Sequence, residues 1–173
     1  TARHWEVVVV GGGHAGCEAA RVAARLGCTT LLISGQADAL ARMPCNPSIG
    51  GLAKSHLVVE VDALGGEMGR NADLCGIQFR TLNASRGPAV QATRVQCDKR
   101  AYAKRMQAVI GHTRRLCLLE DEVVGLLGTE ARVTGVRCAR VGEIRAQTVV
   151  ITAGTALTGR IHVGRKSVPG AGD

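Results

Sequence analysis

Aromatic residues are scarce in this chain, with one Trp, one Tyr and one Phe among 173 residues. Its core must therefore be built from Ala, Val, Leu and Ile. Single-strand nucleic-acid binding by base stacking is disfavoured, since it needs several exposed rings; any RNA contact would go mainly to phosphates. No apolar run approaches the roughly 20 residues of a membrane-spanning helix, and no stretch reads as a secretory signal. The seven cysteines, at 17, 28, 45, 75, 97, 117 and 138, are odd in number, and no two are spaced C-x-x-C. That disfavours both a zinc site and a disulfide framework, and it points to a reducing, soluble compartment. No metal site is expected. Acids are outnumbered, 14 Asp and Glu against 22 Lys and Arg, for a net charge of +8. Such a balance suits an anionic partner, either nucleotide phosphates or nucleic acid, and is equally compatible with ordinary solubility.

By length the chain is one domain. Its dominant feature lies near the start. Val7-Val8-Val9-Val10 reads as a strand buried on both faces. The pattern G-x-G-x-x-G follows at once, with Gly11, Gly13 and Gly16 in the three places, and an alanine-rich helix pattern runs on to Gly27. Strand before and helix after is the context in which this motif holds a dinucleotide pyrophosphate, on glycine backbone and free helix N–H groups. Strand two is expected at Thr29–Ser34. An NAD site commonly has an acid at its end for the ribose, but here the residues are Ser34, Gly35 and Gln36. The ribose must be held otherwise, by Ser34 or a backbone group.

Further along, a short helix is expected over Gln36–Arg42. Residues 43–51 hold two prolines and two glycines, a rigid turned loop with Asn46 or Ser48 as cap for a helix over Leu52–Leu64. Leu57, Val61 and Leu64 would share one face of that helix. A strand-like piece, Ile77–Leu82, precedes a break at Gly87-Pro88. A long helix is then expected from Val90 to Ile110, with Val95, Tyr102, Met106 and Val109 as its apolar stripe. After Gly111 the pattern turns to short strands at 116–119, 122–127, 132–140 and 143–150, with a hairpin turn at 140–143. Val149–Gly154 is a buried-strand run suited to return beside strand one.

Cys45 is the side chain of greatest chemical interest. It sits in the proline-rigidified loop near a helix start, a setting that favours thiolate, although most cysteines are simply buried. The other six read as packing. His14, inside the glycine loop, could meet a cofactor or merely turn the chain. Arg80, Arg86, Arg94, Lys99, Arg100, Lys104 and Arg105 form a cationic cluster that fits a phosphate-rich partner or a solvated helix face.

Taken together, these stretches resemble the GidA/MnmG family of tRNA uridine-5-carboxymethylaminomethyl modification enzymes. The resemblance is carried by Gly11-Gly12-Gly13-His14-Ala15-Gly16-Cys17-Glu18-Ala19-Ala20, Cys45-Asn46-Pro47-Ser48-Ile49-Gly50-Gly51 and Glu60-Val61-Asp62-Ala63-Leu64-Gly65-Gly66. Leu82-Asn83-Ala84-Ser85-Arg86-Gly87-Pro88-Ala89-Val90, Ala92-Thr93-Arg94 and Thr152-Ala153-Gly154-Thr155 add to it. It implies an α/β Rossmann-like FAD/NAD(P)-binding fold with a parallel sheet, a small antiparallel β-meander at about 116–148 and a return strand at 149–155. It further implies FAD, held by Gly11, Gly12, Gly13, His14, Ala15, Gly16, Ser34, Thr152, Ala153 and Gly154, with the Val123 backbone on the adenine side. Asn46, Ser48, Gly50 and Gly51 would lie by the flavin ring and Cys45 would be catalytic. Arg86, Arg94, Lys99, Arg100 and Lys104 are the tRNA-binding candidates. The implied co-substrates are NADH and methylene-tetrahydrofolate. The implied partners are tRNA, an MnmE-type GTPase and a second copy of the enzyme, in the cytoplasm or an organellar matrix.

Family members are several times longer. The chain is therefore expected to be an N-terminal portion, without the second dinucleotide-binding and C-terminal helical domains and of doubtful activity alone. Two other functions fit the same glycine loop: a flavin oxidoreductase acting on a small molecule, and an inactive nucleotide-binding fragment.

Overall fold

The structure is a computed structural model that describes residues 4–44, 46–155, 157 and 159–169. β1 (Trp5–Val10) leads through the glycine loop into α1 (His14–Arg25), which returns the chain to β2 (Thr30–Ser34). The two strands lie parallel, with Val8 opposite Leu31 and Val10 opposite Ile33; parallel neighbours require such a crossover. Every residue of β2 is buried, as in a strand covered on both faces. α1 stops where Gly27 takes φ +100°, the left-handed conformation that ends many helices.

The next segment departs from expectation. Only a single 3-10 turn, Ala37–Ala39, forms where a short helix was expected. The proline-rich stretch contains β3 (Ser48–Gly50), and α2 (Ser55–Ala63) starts with no side-chain cap, so neither Asn46 nor Ser48 caps it. Leu57 and Leu64, expected on one face of this helix, are 62% and 84% exposed, so that face is not packed into the core. An unforeseen helix, α3 (Met68–Cys75), follows. Its entry is fixed from a distance, because the Glu18 carboxylate accepts the backbone N–H groups of Glu67 and Met68.

β4 (Gly76–Leu82) and β5 (Ala92–Cys97) pair antiparallel, and β3 joins the other side of β5 to give a three-stranded sheet ordered β3-β5-β4. The single helix expected over 90–110 is thus divided into β5 and α4 (Lys99–His112). Asp98 marks the division. Its carboxylate accepts the N–H groups of Arg100 and Ala101, each at 2.9 Å, an N-cap that starts the helix there.

β6 (Leu116–Glu120) pairs parallel with the outer side of β2. It therefore belongs to the parallel sheet, and the meander expected from 116 begins instead at β7 (Val123–Thr129), continuing through β8 (Arg132–Cys138) into β9 (Gly142–Ile151). β9 joins the meander to the parallel strands in one sheet. Residues 142–145 pair antiparallel with β8, and residues 146–151 run parallel to β1, as the return strand was expected to do. The resulting order is β6-β2-β1-β9-β8-β7. A hairpin of β10 (Arg160–Val163) and β11 (Lys166–Pro169) closes the described chain.

Strand alternation sends successive residues to opposite faces, and two cores result. Val9 and Leu32 pack with Cys17, Ala20, Tyr102, Met106 and Ile110 beneath α1 and α4. Val8, Leu31 and Ile33 pack with Val136, Cys138 and Ala146 of the meander. α1, α3 and α4 are joined by one buried acid. Glu67, 2% exposed, pairs with Arg21 at 2.8 Å and with Arg105 at 2.7 Å. No helix among the described residues is long and apolar enough to cross a membrane.

Candidate functional site

In open α/β sheets ligands bind beyond the carboxyl ends of the parallel strands. A cleft of about 660 Å³ lies there, lined by residues 11–13, 121–126 and 151–154 with Val10, Ile33, Gly35 and Leu157. The glycine loop forms its floor. A Cβ on Gly13 would meet nothing within 4 Å, whereas one on Gly16 would lie 1.8 Å from the Gly11 carbonyl oxygen. Gly13 thus leaves its backbone open to a ligand, and Gly16 lets α1 press against the loop. No side chain caps the start of α1, so its first-turn N–H groups are available to an anion. Thr152 fastens the opposite wall: its N–H and its hydroxyl each reach the Val10 carbonyl oxygen at 2.8 Å.

Gly11, Gly12, Gly13, Val123, Thr152, Ala153 and Gly154 all line this cleft. Ala15 and Gly16 stand behind the loop in α1. His14 turns away. Its ring lies 5.5 Å from that of Tyr102, burial lowers its pKa, and its Nε2 and the Tyr102 hydroxyl are both buried without a hydrogen-bond partner. Its contribution to a ligand would come through its backbone. Ser34 is not on the cleft lining. Its hydroxyl donates to the Gln36 carbonyl at 2.9 Å, and it lies under Gly12. Cys17 is buried in the same layer, and burial pushes its thiol up to about 12, so it is packing.

β6 ends at Glu120, and the next two residues, Asp121 and Glu122, line the cleft. Burial by itself would raise the Asp121 pKa. The N–H groups of Val141, Glu122 and Arg140, at 2.9, 2.7 and 3.1 Å, with the Arg140 guanidinium, outweigh it and hold the carboxyl below its usual range. Sequence reasoning did not single out these acids. Three acids directly after an apolar strand run were the available signal.

The flavin-loop candidates gather elsewhere, on the three-stranded sheet. Ser48 lies opposite Gln96 and Gly50 opposite Arg94. Asn46 Oδ1 accepts from Arg94 Nη2 at 3.2 Å and from Gln96 Nε2 at 3.3 Å. Gly51 donates to the Thr93 carbonyl at 2.8 Å. Cys45 lies outside the described residues. The basic candidates do not share one helix face. Arg86 is in the exposed β4–β5 loop, Arg94 is on β5, and Lys99, Arg100 and Lys104 are exposed on α4. Arg105, counted in the same cationic cluster, is occupied by Glu67.

A parallel sheet, its crossover helix, a glycine loop at the helix start and a cleft at the strand ends define a Rossmann-like dinucleotide-binding domain. Residues 6–172 match the family described as "Glucose inhibited division protein A", GidA, and the chain belongs to that family. It is 53% identical over 173 residues to the tRNA uridine 5-carboxymethylaminomethyl modification enzyme MnmG of Geotalea uraniireducens, covering 99% of this chain and 28% of that one. The enzyme of the same name from Geobacter sulfurreducens is 53% identical over 174 residues, with the same coverage. The crystal structure of GidA from Aquifex aeolicus superposes with a TM-score of 0.91 at 46% identity, over 97% of this chain and 28% of that one. The chain thus spans little more than a quarter of the length of these relatives.

Proposed function

We propose that this chain forms the FAD-binding part of a tRNA-modifying flavoenzyme acting at C5 of the wobble uridine. The observation that carries the reading is the open cradle at Gly13. It is set over an uncapped helix start, in a chain 53% identical over its length to enzymes named for this modification. The geometry fits a pyrophosphate over residues 11–13, with the Val123 backbone toward the adenine side and residues 152–154 as the facing wall. FAD supplies redox chemistry when bound. The protein's own part is to anchor the pyrophosphate by backbone N–H groups, to fix the loop through Thr152, and to present the 46–51 segment to the reacting ring.

In this reading Cys45 is the catalytic thiol, NADH and methylene-tetrahydrofolate are co-substrates, and tRNA is held by basic side chains including Arg86, Arg94, Lys99, Arg100 and Lys104. An MnmE-type GTPase and a second copy of the enzyme are the partners, in the cytoplasm. The test is nucleoside mass spectrometry of tRNA from cells lacking the gene that carries this chain. The modified wobble uridine should disappear, return with the wild-type gene, and stay absent with Cys45→Ser. Unaltered modification in the deleted cells would refute the reading.

A further inference from the structure

The face of the three-stranded sheet carries an unneutralised pair of arginines. Arg80 and Arg94 stand directly opposite each other on β4 and β5, and Gln78 stands opposite Gln96 on the next rung of the same face. Like charges in that position repel. Elsewhere the chain meets paired arginines with an acid: Arg21 and Arg105 share Glu67, and Arg140 has Asp121. Here, among the described residues, neither guanidinium has a carboxylate partner, and Arg80 has no hydrogen-bond partner. Arg94 is held, but by a neutral group. Asn46 Oδ1 accepts from Arg94 and from Gln96, which orients both side chains without cancelling the charge. Gln78, Arg80, Leu82, Arg94 and Gln96 line a depression of about 110 Å³, several times the ~30 Å³ share of one water.

We propose that this depression is an oxyanion site that takes a phosphate group of the substrate. Two planar guanidinium forks supply charge and bidentate donors, a geometry suited to phosphate oxygens. The Gln78 and Gln96 amides supply neutral donors beside them. The anion replaces the acid that the arginine pair lacks and converts their repulsion into a shared contact. Ser48 and Gly50 extend the two rungs onto β3, so the site adjoins the segment that follows Cys45. The α4 cations Lys99, Arg100 and Lys104 are not part of it. Assigning the phosphate to RNA rests on the function proposed above; the oxyanion chemistry does not.

The test compares wild type, Arg80→Gln, Arg94→Gln, the double variant and a control at the exposed Arg132 of β8, Arg132→Gln. Arg94→Lys serves as a second variant that keeps charge without the fork. The first probe is inorganic phosphate against chloride at matched ionic strength, read as thermal midpoint. The second is a tRNA transcript, read as binding against salt. Phosphate should raise the midpoint of wild type and Arg132→Gln but not of the Arg80/Arg94 variants. The double variant should bind tRNA more weakly, with a log affinity–log salt slope smaller by about 0.7 for each single-strand phosphate that is no longer neutralised. Arg94→Lys should fall between. Competition of phosphate with tRNA in wild type would identify an RNA phosphodiester as the source. A phosphate response that maps to Arg80 and Arg94 without any tRNA binding would keep the site, assign it to a free phosphate and remove the tRNA reading. Phosphate response and tRNA binding that are both unchanged in the double variant would overturn the site and leave the tRNA reading standing.

Discussion

Replacing Gly16 with alanine tests how the glycine loop is held. The added methyl would lie 1.8 Å from the Gly11 carbonyl oxygen and 2.7 Å from Thr152 Oγ1, where ordinary contact begins at 3.4 Å. The obstacle is backbone, so no rotamer relieves it. The first turn of α1 must withdraw by roughly 1.5 Å or the loop must deform. Overpacking of this kind costs about 1–3 kcal/mol, here at the upper end because backbone has to move. Loosening the Thr152 hydroxyl bond adds about 1 kcal/mol. Alanine returns up to ~1 kcal/mol through helix propensity, leaving a net loss of about 3 kcal/mol. With an m-value of roughly 1–3 kcal/mol/M, the urea midpoint should fall by about 1 M or more at unchanged m. Gly13→Ala, whose methyl meets nothing within 4 Å, should leave the midpoint in place. A Gly16→Ala midpoint equal to or above wild type would refute the packing argument.

Two further perturbations probe buried charge. Glu67→Gln leaves Arg21 and Arg105 without their shared carboxylate; breaking such a pair costs about 3–5 kcal/mol. The arginines keep 16% and 24% side-chain exposure and can partly rehydrate, so urea unfolding should show a loss near 3 kcal/mol, and a loss under about 1 kcal/mol would show the pair to be ornamental. Stability should also fall on acidification in two stages. Burial lowers the His14 pKa from its ordinary 6.5, so the unfolded chain takes up that proton first and stability is lost as pH drops below 6.5 toward the folded value. Glu6, held down chiefly by the Thr29 backbone N–H, and Asp121 are likewise depressed from 4.5 and 3.8, and their contributions are lost only below those values. His14→Phe should remove the first stage and keep the second, as read by unfolding midpoints across pH; an unchanged first stage would assign it to another group.

The β1–α1–β2 unit was legible because its signals are local: a run of valines, spaced glycines and an alanine face. The return of β9 beside β1 was legible from its buried run. α3 was not, because what fixes Met68–Cys75 is remote, namely the Glu18 carboxylate on its entry and the Glu67 contacts to Arg21 and Arg105. Residues 92–97 misled because Ala92, Val95 and Cys97 fit neither a pure helical nor a pure strand period; Asp98, as an N-cap, was the signal that divides them. At the site, Gly11–Gly13 could be read from spacing alone. Asp121 could not, since it reaches the cleft only because β6 pairs with β2, a pairing that joins residues more than 80 positions apart. The meeting of Asn46 with Arg94 and Gln96 depends in the same way on β3 pairing with β5.

In the function proposed above, residues 11–13 cradle the pyrophosphate of FAD. The most direct test is a titration of the purified protein with FAD, followed by quenching of flavin fluorescence, in wild type and in Gly13→Val, with unfolding midpoints measured in parallel. A saturable, stoichiometric quench in wild type that is lost in Gly13→Val, at an unchanged midpoint, is the predicted result, because the new side chain enters the ligand's space from a Cβ that has no protein atom within 4 Å. Equal FAD affinity in the two proteins would contradict the claim.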